Sequence, residues 1–184
     1  MQNIDNEEVE TVMKCLVLGD SKVGKSSLII QFVKGKISEI PKETLSATFT
    51  EKRVYVSNFQ KELHYHIWEL PGSHSYDSIS QNYMKGNHLE GASACILVCS
   101  ATNMNSIKNL EQWKIQVEKI CGKIPMIIAV NKIDETTNKI SSEELNNIVS
   151  KLGLVLFKTS AKTGTNIKEL FISMAEQFYL SNIK

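Results

Sequence analysis

The chain has 184 residues, of which 42% are hydrophobic and 22% charged. That is enough apolar material for one packed domain, and it excludes a long disordered tract. Lys and Arg total 21 and Asp and Glu 20, a formal charge of +1, so nucleic-acid binding through bulk charge is not expected. No apolar run approaches the roughly 18–20 residues of a membrane span, and the acidic start (Asp5, Glu7, Glu8, Glu10) is unlike a signal peptide. Cys15, Cys95, Cys99 and Cys121 read as thiols of a cytoplasmic protein, three of them inside apolar strand-like runs.

Residues 1–11 are expected to be a flexible N-terminus, 12–180 a single domain and 181–184 a short C-terminal end. VMKCLVL (12–18) suits a central strand, and SSLIIQFVK (26–34) sets Leu28, Ile29, Phe32 and Val33 on a helical stripe. Residues 35–47 carry no period, and an irregular loop of that length inside a compact domain is usually functional or disordered. TFTEKRVYVS (48–57) and LHYHIWEL (63–70) predict a two-stranded hairpin. SACILVCS (93–100) predicts a buried strand. One helix is expected over about 105–120, with Ile107, Leu110, Trp113, Val117 and Ile120 on its apolar stripe. PMIIAVN (125–131) is another buried strand. Ser141 or Ser142 then offers a cap for a helix carrying Leu145, Ile148 and Val149, and Glu144 stands as in a capping box. LVLFKTS (154–160) is the last strand and 166–180 the closing helix. This alternation predicts an α/β fold, a mostly parallel six-stranded sheet with helices on both faces. Ligands of such sheets sit beyond the carboxyl ends of the strands.

The polar loops fall there. Gly19-Asp20-Ser21-Lys22-Val23-Gly24-Lys25-Ser26 satisfies G-x-x-x-x-G-K-S directly after a strand and at the opening of a helix. Phosphate contacts are expected from Asp20, Ser21, Lys22, Val23, Gly24, Lys25, Ser26 and Ser27, through converging backbone N–H groups and the orphan amides of the helix. Lys25 can reach β- and γ-phosphates, and the Ser26 hydroxyl can ligate Mg²⁺. At the end of another strand stand Asn131, Lys132, Ile133 and Asp134. A carboxylate there can accept both N1–H and the exocyclic N2–H of guanine, a paired donor edge that adenine lacks. Asn131 can donate toward N7 or O6, and the stem of Lys132 can cover the ring. Ser160, Ala161 and Lys162 supply a matching loop.

Together these pieces resemble a small GTPase of the Ras superfamily, in its Rab-like branch. The resemblance covers roughly 12–180 and rests on GDSKVGKSS (19–27), Thr44, Trp68 followed by ELPG, NKID (131–134) and SAK (160–162). It implies the P-loop NTPase fold of small G-protein type, GTP or GDP with Mg²⁺ as cofactors, and a switch acting in vesicle or intracellular trafficking. The loop around Thr44 corresponds to a first switch, and Glu69 to about Lys85 to a second. Thr44 would close onto the γ-phosphate and complete the Mg²⁺ shell, and the backbone N–H of Gly72 would sense that phosphate. Phe49, Trp68 and Tyr83 match the aromatic positions of a nucleotide-sensitive effector surface; packing of the sheet is the alternative for all three. The partners implied are an exchange factor, a GTPase-activating protein and switch-reading effectors, on a monomer.

Departures from the family pattern matter for rate. Where Asp-Thr-Ala-Gly-Gln-Glu is usual, this chain has Glu69-Leu-Pro-Gly-Ser-His74. Glu69, one methylene longer, is expected to hold Mg²⁺ through water after a shift of the shell. Ser73 is a weak replacement for the glutamine that orients the attacking water, and Pro71 restricts the backbone beside Gly72. Slow or partner-dependent hydrolysis is therefore expected; the alternative is a pseudo-GTPase that binds GTP or GDP with negligible turnover, or His74 standing in for the glutamine. Lys22 stands where a small residue is preferred, pointing either to the phosphates or to solvent. Ile37 stands where an aromatic usually covers the nucleotide, and Ser46 and Thr48 replace the usual Gly and acidic residue, so ordinary effectors are not expected to fit.

Other features read more plainly. NHLEG (87–91) reads as a tolerated surface insertion, with a partner surface as the alternative. His64 and His66 share one strand face, but no Cys or carboxylate is expected to complete a metal set. Arg53 lies far in sequence from the phosphate loop, and Trp113 reads as core. The sequence ends AEQFYLSNIK with no cysteine beyond Cys121, so membrane association is expected only through a missing tail or a partner that recruits the protein to intracellular membranes.

Overall fold

The computed structural model describes residues 10–37, 41–72, 89–137 and 140–183. In chain order its elements are β1 (Val12–Leu18), α1 (Lys25–Lys34), β2 (Thr48–Val56), β3 (Lys61–Glu69), β4 (Ala94–Ser100), α2 (Met104–Lys108), α3 (Leu110–Cys121), β5 (Met126–Asn131), α4 (Ser142–Val149), β6 (Val155–Lys158) and α5 (Ile167–Asn182). The strands form one sheet in the order β2-β3-β1-β4-β5-β6. All neighbours are parallel except the β2–β3 hairpin, so the sheet is mixed but mostly parallel. Every residue of β4 and β5 is buried, which is why both read as unbroken apolar runs. In β3, buried and half-buried residues alternate from Leu63 to Glu69, because only one of its faces meets the main core.

Two apolar cores lie on opposite faces. Met13, Cys15, Val17, Tyr65 and Ile67 pack under α1 and α5, where the Phe32 and Phe171 rings stack at 3.7 Å. Leu16, Leu18, Cys95, Leu97 and Cys99 pack under α2, α3 and α4 through Ile107, Leu110, Trp113, Leu145 and Val149. All four cysteines are free thiols. Burial pushes the Cys99 thiol up to about 12 and raises those of Cys15 and Cys95 as well.

Three local expectations need correction or sharpening. The single helix expected over 105–120 is two, α2 and α3, meeting at Asn109. Asn103 caps the first through Oδ1, which accepts from the N–H groups of Asn105 and Ser106 at 3.0 and 3.3 Å. The break is slight: Asn109 keeps a right-handed helical backbone, its N–H donates to the Asn105 carbonyl at 2.9 Å and its carbonyl accepts from Trp113 N at 3.1 Å. The segment 87–91 is not simply a surface insertion: Leu89 is buried in the second core, and its carbonyl accepts from the Cys121 thiol. Residues 87 and 88 lie outside the described residues. For α4 the cap is Ser141, with Glu144 closing both halves of the capping box.

Candidate functional site

The carboxyl ends of β1, β3 and β5 and the loop after β6 open on one cavity of about 690 Å³. At one end lies the turn from β1 into α1. Gly24 has φ +96°, and a Cβ there would stand 2.4 Å from the Asn131 amide nitrogen, so glycine is required both for conformation and for space. Lys25 opens α1 and folds back, donating from Nζ to the carbonyls of Gly19 and Asp20 at 2.9 Å each. Burial lowers its pKa to about 8 against the opposing pull of Glu69, Asp20 and Glu43. Two carbonyls thus aim an ammonium that is short of counter-charge along the cavity wall.

The Asp20 carboxylate turns the other way. It accepts from Asn109 Nδ2 and from the Trp113 indole N–H, both at 2.8 Å, and so bolts the loop to the α2–α3 junction. Trp113 is core, as expected, but it is also this anchor. An indole on an apolar stripe signals a partner for its N–H; nothing in the sequence pointed to Asn109. Lys22 is exposed at the cavity rim with φ +63°, a left-handed conformation that disfavours any side chain with a Cβ.

Beside Lys25, three oxygen-bearing side chains from distant segments converge. Ser26 Oγ donates to Glu69 Oε1 at 2.7 Å, Thr44 Oγ1 donates to the same oxygen at 3.0 Å, and the two hydroxyls are 3.0 Å apart. Adjacent ligands of an octahedral Mg²⁺ at about 2.0–2.1 Å are separated by about 2.9 Å. The three atoms therefore make one face of such a shell, and the donor set, two hydroxyls and a buried carboxylate, is the hard-oxygen kind that Mg²⁺ takes. Ser21 Oγ also donates to Glu43 at 2.8 Å, tying the phosphate loop to the irregular segment. A Cβ on Gly72 would stand 2.3 Å from the Asp20 carbonyl carbon and 2.4 Å from Ser21 N, so this strand end can lie on the loop only as glycine.

At the other end of the cavity, Asn131 is buried and braces two loops. Its Nδ2 donates to the Val23 carbonyl at 3.0 Å and its Oδ1 accepts from Ala161 N at 3.0 Å, leaving one amide hydrogen uncommitted by these contacts. Ser160 Oγ donates to Asp134 Oδ1 at 2.6 Å and accepts from Thr163 N, which holds the carboxylate of a residue that lines the cavity. Lys132 (φ +67°), Ala161 and Lys162 complete this wall.

Of the residues expected at the site, the cavity is lined by Ser21, Lys22, Gly24, Lys25, Ser26, Ser27, Thr44, Glu69, Gly72, Asn131, Lys132, Asp134, Ala161 and Lys162, with Ile37 closing one side. Asp20, Val23 and Ser160 do not line it; they hold those that do. Ser73, His74 and Tyr83 lie outside the described residues. Phe49 and Trp68 stand on β2 and β3 with rings 5.2 Å apart. Phe49 is 46% exposed, so sheet packing alone does not account for it. Arg53 pairs at the surface with Glu10 and Glu62, away from the cavity. The expectation that no carboxylate joins His64 and His66 is not met: Glu51 faces His66 across the β2–β3 ladder, and ligand atoms of all three lie within 4.8 Å of one another.

Among known proteins, residues 14–180 match the family model described as the Ras family. The chain is 34% identical over 166 residues to the Ras-related protein Rab5 of Nicotiana tabacum, covering 89% of this chain and 80% of the relative. The Ras-related protein RHN1 of Nicotiana plumbaginifolia is 32% identical with the same coverage. The Ras-related protein Rab-2B of Dictyostelium discoideum is 29% identical over 170 residues, 91% of this chain and 81% of the relative. The chain therefore belongs to the Ras family. Within it the chain stands in the Rab-like branch of small GTPases, nucleotide-binding switch proteins built on the P-loop fold described above.

Proposed function

We propose that the domain, residues 12–180, binds GTP or GDP in this cavity together with Mg²⁺ and acts as a switch in intracellular trafficking with slow or partner-dependent hydrolysis. The observation that carries this reading is the meeting of two chemistries in one cavity. Lys25, Ser26 and the loop amides suit phosphates at one end, and Asp134, Asn131 and the Ser160–Lys162 loop suit a guanine edge at the other. Ser26, Thr44 and Glu69 would hold the cation. Because the Glu69 carboxylate already sits on both hydroxyls, its extra methylene supports direct ligation in place of contact through water. Mg²⁺ supplies charge neutralisation at the β/γ oxygens when bound. Lys25 shares that work, Thr44 and the Gly72 N–H respond to the γ-phosphate, and Asp20 holds the loop in register. Phe49 and Trp68, with Tyr83, form the surface that effectors read; an exchange factor and a GTPase-activating protein act on the segments around Thr44 and Gly72.

Slow turnover follows from Ser73, whose short hydroxyl cannot both accept from and donate to a water at the reach of a glutamine side chain. The pseudo-GTPase reading draws on the same residue and on Pro71. Single-turnover phosphate release by wild type and Ser73→Gln separates the two. A slow but measurable wild-type rate that rises in the variant is expected. Rapid wild-type release would overturn the claim of impairment, an unchanged variant rate would clear Ser73, and no release from either would favour the pseudo-GTPase.

A further inference from the structure

We propose that Glu51, His64 and His66 form a binding site for one divalent transition-metal ion of the Zn²⁺ class, on the outer face of the β2–β3 hairpin and separate from the nucleotide cavity. His64 and His66 are two apart on β3 and so project from one face, and Glu51 is the direct cross-strand partner of His66. The ladder thus fixes three ligand-bearing Cβ atoms on two adjacent, rigidly paired strands, with one ligand atom of each within 4.8 Å of the others.

The details favour a cation over chance proximity. Glu51 Oε2 lies 3.4 Å from His64 Nε2. Tetrahedral zinc with bonds of about 2.0–2.2 Å separates its ligands by about 3.4 Å, so this edge is already in place. The remaining edges lie within 4.8 Å, with the His64 and His66 rings nearly perpendicular at 4.7 Å. On the far side of His64, Nδ1 lies 2.9 Å from Glu10 Oε1. A carboxylate behind a histidine is the arrangement that fixes the tautomer of a metal ligand: Nδ1–H donates backward and the Nε2 lone pair faces the ion. Arg53, 2.7 Å from the same Glu10 oxygen, holds that carboxylate in place. With the metal-ligand tautomer in place, Nε2 would turn its lone pair on the Glu51 carboxylate, 3.4 Å away. Only a shared proton or a shared cation makes that contact favourable.

Three ligands leave a fourth position for water or for a side chain of a protein bound to this face. The position lies next to the aromatic surface, since His66 packs edge-on against Phe49 at 5.2 Å. A metal here would stiffen the hairpin that carries Phe49 and Trp68.

The full chain, loaded with Mg²⁺ and GDP, is dialysed against Zn²⁺ in a large excess of Mg²⁺, and bound metal is counted. Co²⁺ substitution reports geometry through its visible absorption, and ¹⁵N histidine side-chain spectra of the unaltered protein show which rings respond. The expected result is one Zn²⁺ per chain, a four-coordinate Co²⁺ spectrum, and shifts confined to His64 and His66. His64→Gln and His66→Gln should lose at least ~100-fold in affinity and Glu10→Gln about 10-fold, with His74→Gln and His88→Gln unchanged. No binding would show that the His64–Glu51 contact is closed by a proton. Binding that persists in the His64→Gln/His66→Gln double variant, or that moves to His74 or His88, would equally overturn the assignment.

Discussion

Asn109→Ala is a direct probe of how the phosphate loop is held. The change deletes one of the two hydrogen bonds to the Asp20 carboxylate, a 2.8 Å contact between an amide and an ionised group. Hydrogen bonds to charged partners contribute about 1.5–3 kcal/mol. Against that, alanine is the better helix former at the α2–α3 junction by about 0.5 kcal/mol. The net loss expected is therefore about 1–2.5 kcal/mol, or a fall in Tm of about 3–8 °C for a domain of this size. Urea unfolding of wild type, Asn109→Ala, Asp20→Ala and the double variant closes a cycle in which the sign discriminates. Once Asp20 is alanine no carboxylate remains to be orphaned, and Asn109→Ala should become neutral or slightly stabilising. If Asn109→Ala costs the same in both backgrounds, the contact contributes nothing and the loop is held by other means.

Three further outcomes are expected. Because the folded-state pKa of Lys25 is lowered to about 8 from 10.5, the unfolded chain binds the extra proton between those values. The nucleotide-free protein should thus gain stability as pH rises from about 8 toward 10.5; urea midpoints of wild type minus Lys25→Met should show the rise, and a flat difference would refute the buried, under-compensated ammonium. Lys22→Gly relieves a left-handed residue that costs about 1–2 kcal/mol, offset by the freedom glycine gains in the unfolded chain. A net stabilisation of about 0.5–1 kcal/mol is expected by thermal melting, and a destabilised variant would show that the Lys22 side chain makes a compensating contact. Glu69→Gln should raise the Mg²⁺ concentration needed to retain GDP by at least ~10-fold in dissociation assays, because the charged member of the oxygen triad is lost; an unchanged Mg²⁺ dependence would remove Glu69 from the shell.

Much of this molecule was legible before its structure. The β1 run and the two buried strands β4 and β5 announced themselves as short apolar runs, and the stripe Ile167, Leu170, Phe171, Met174 and Phe178 announced α5. The G-x-x-x-x-G-K-S and N-K-x-D segments were readable because each needs particular residues at fixed spacing beside a strand end. What escaped was long-range side-chain geometry. Asn109 and Asp20 are 89 residues apart, and nothing local marks Asn109 as the partner of a distant carboxylate. Glu51 escaped for a related reason. Strand alternation put His64 and His66 on one face, but only the register of β2 against β3 sets Glu51 opposite His66. Leu89 likewise looked like part of a polar insertion until its side chain was found under α3 beside Cys121. Asp20, Val23 and Ser160 carry a part that their motif positions do not announce: the Asp20 carboxylate, the Val23 carbonyl and the Ser160 hydroxyl brace the cavity from behind.

Everything proposed for the cavity depends on guanine nucleotide entering it. Equilibrium titration of the nucleotide-free protein with fluorescent GDP in Mg²⁺, competed by unlabelled GDP and ADP, tests this most directly. Saturable binding of one GDP per chain is expected, with ADP weaker by at least ~100-fold because it cannot satisfy the Asp134 carboxylate. No measurable GDP binding, or equal competition by ADP, would contradict the central claim.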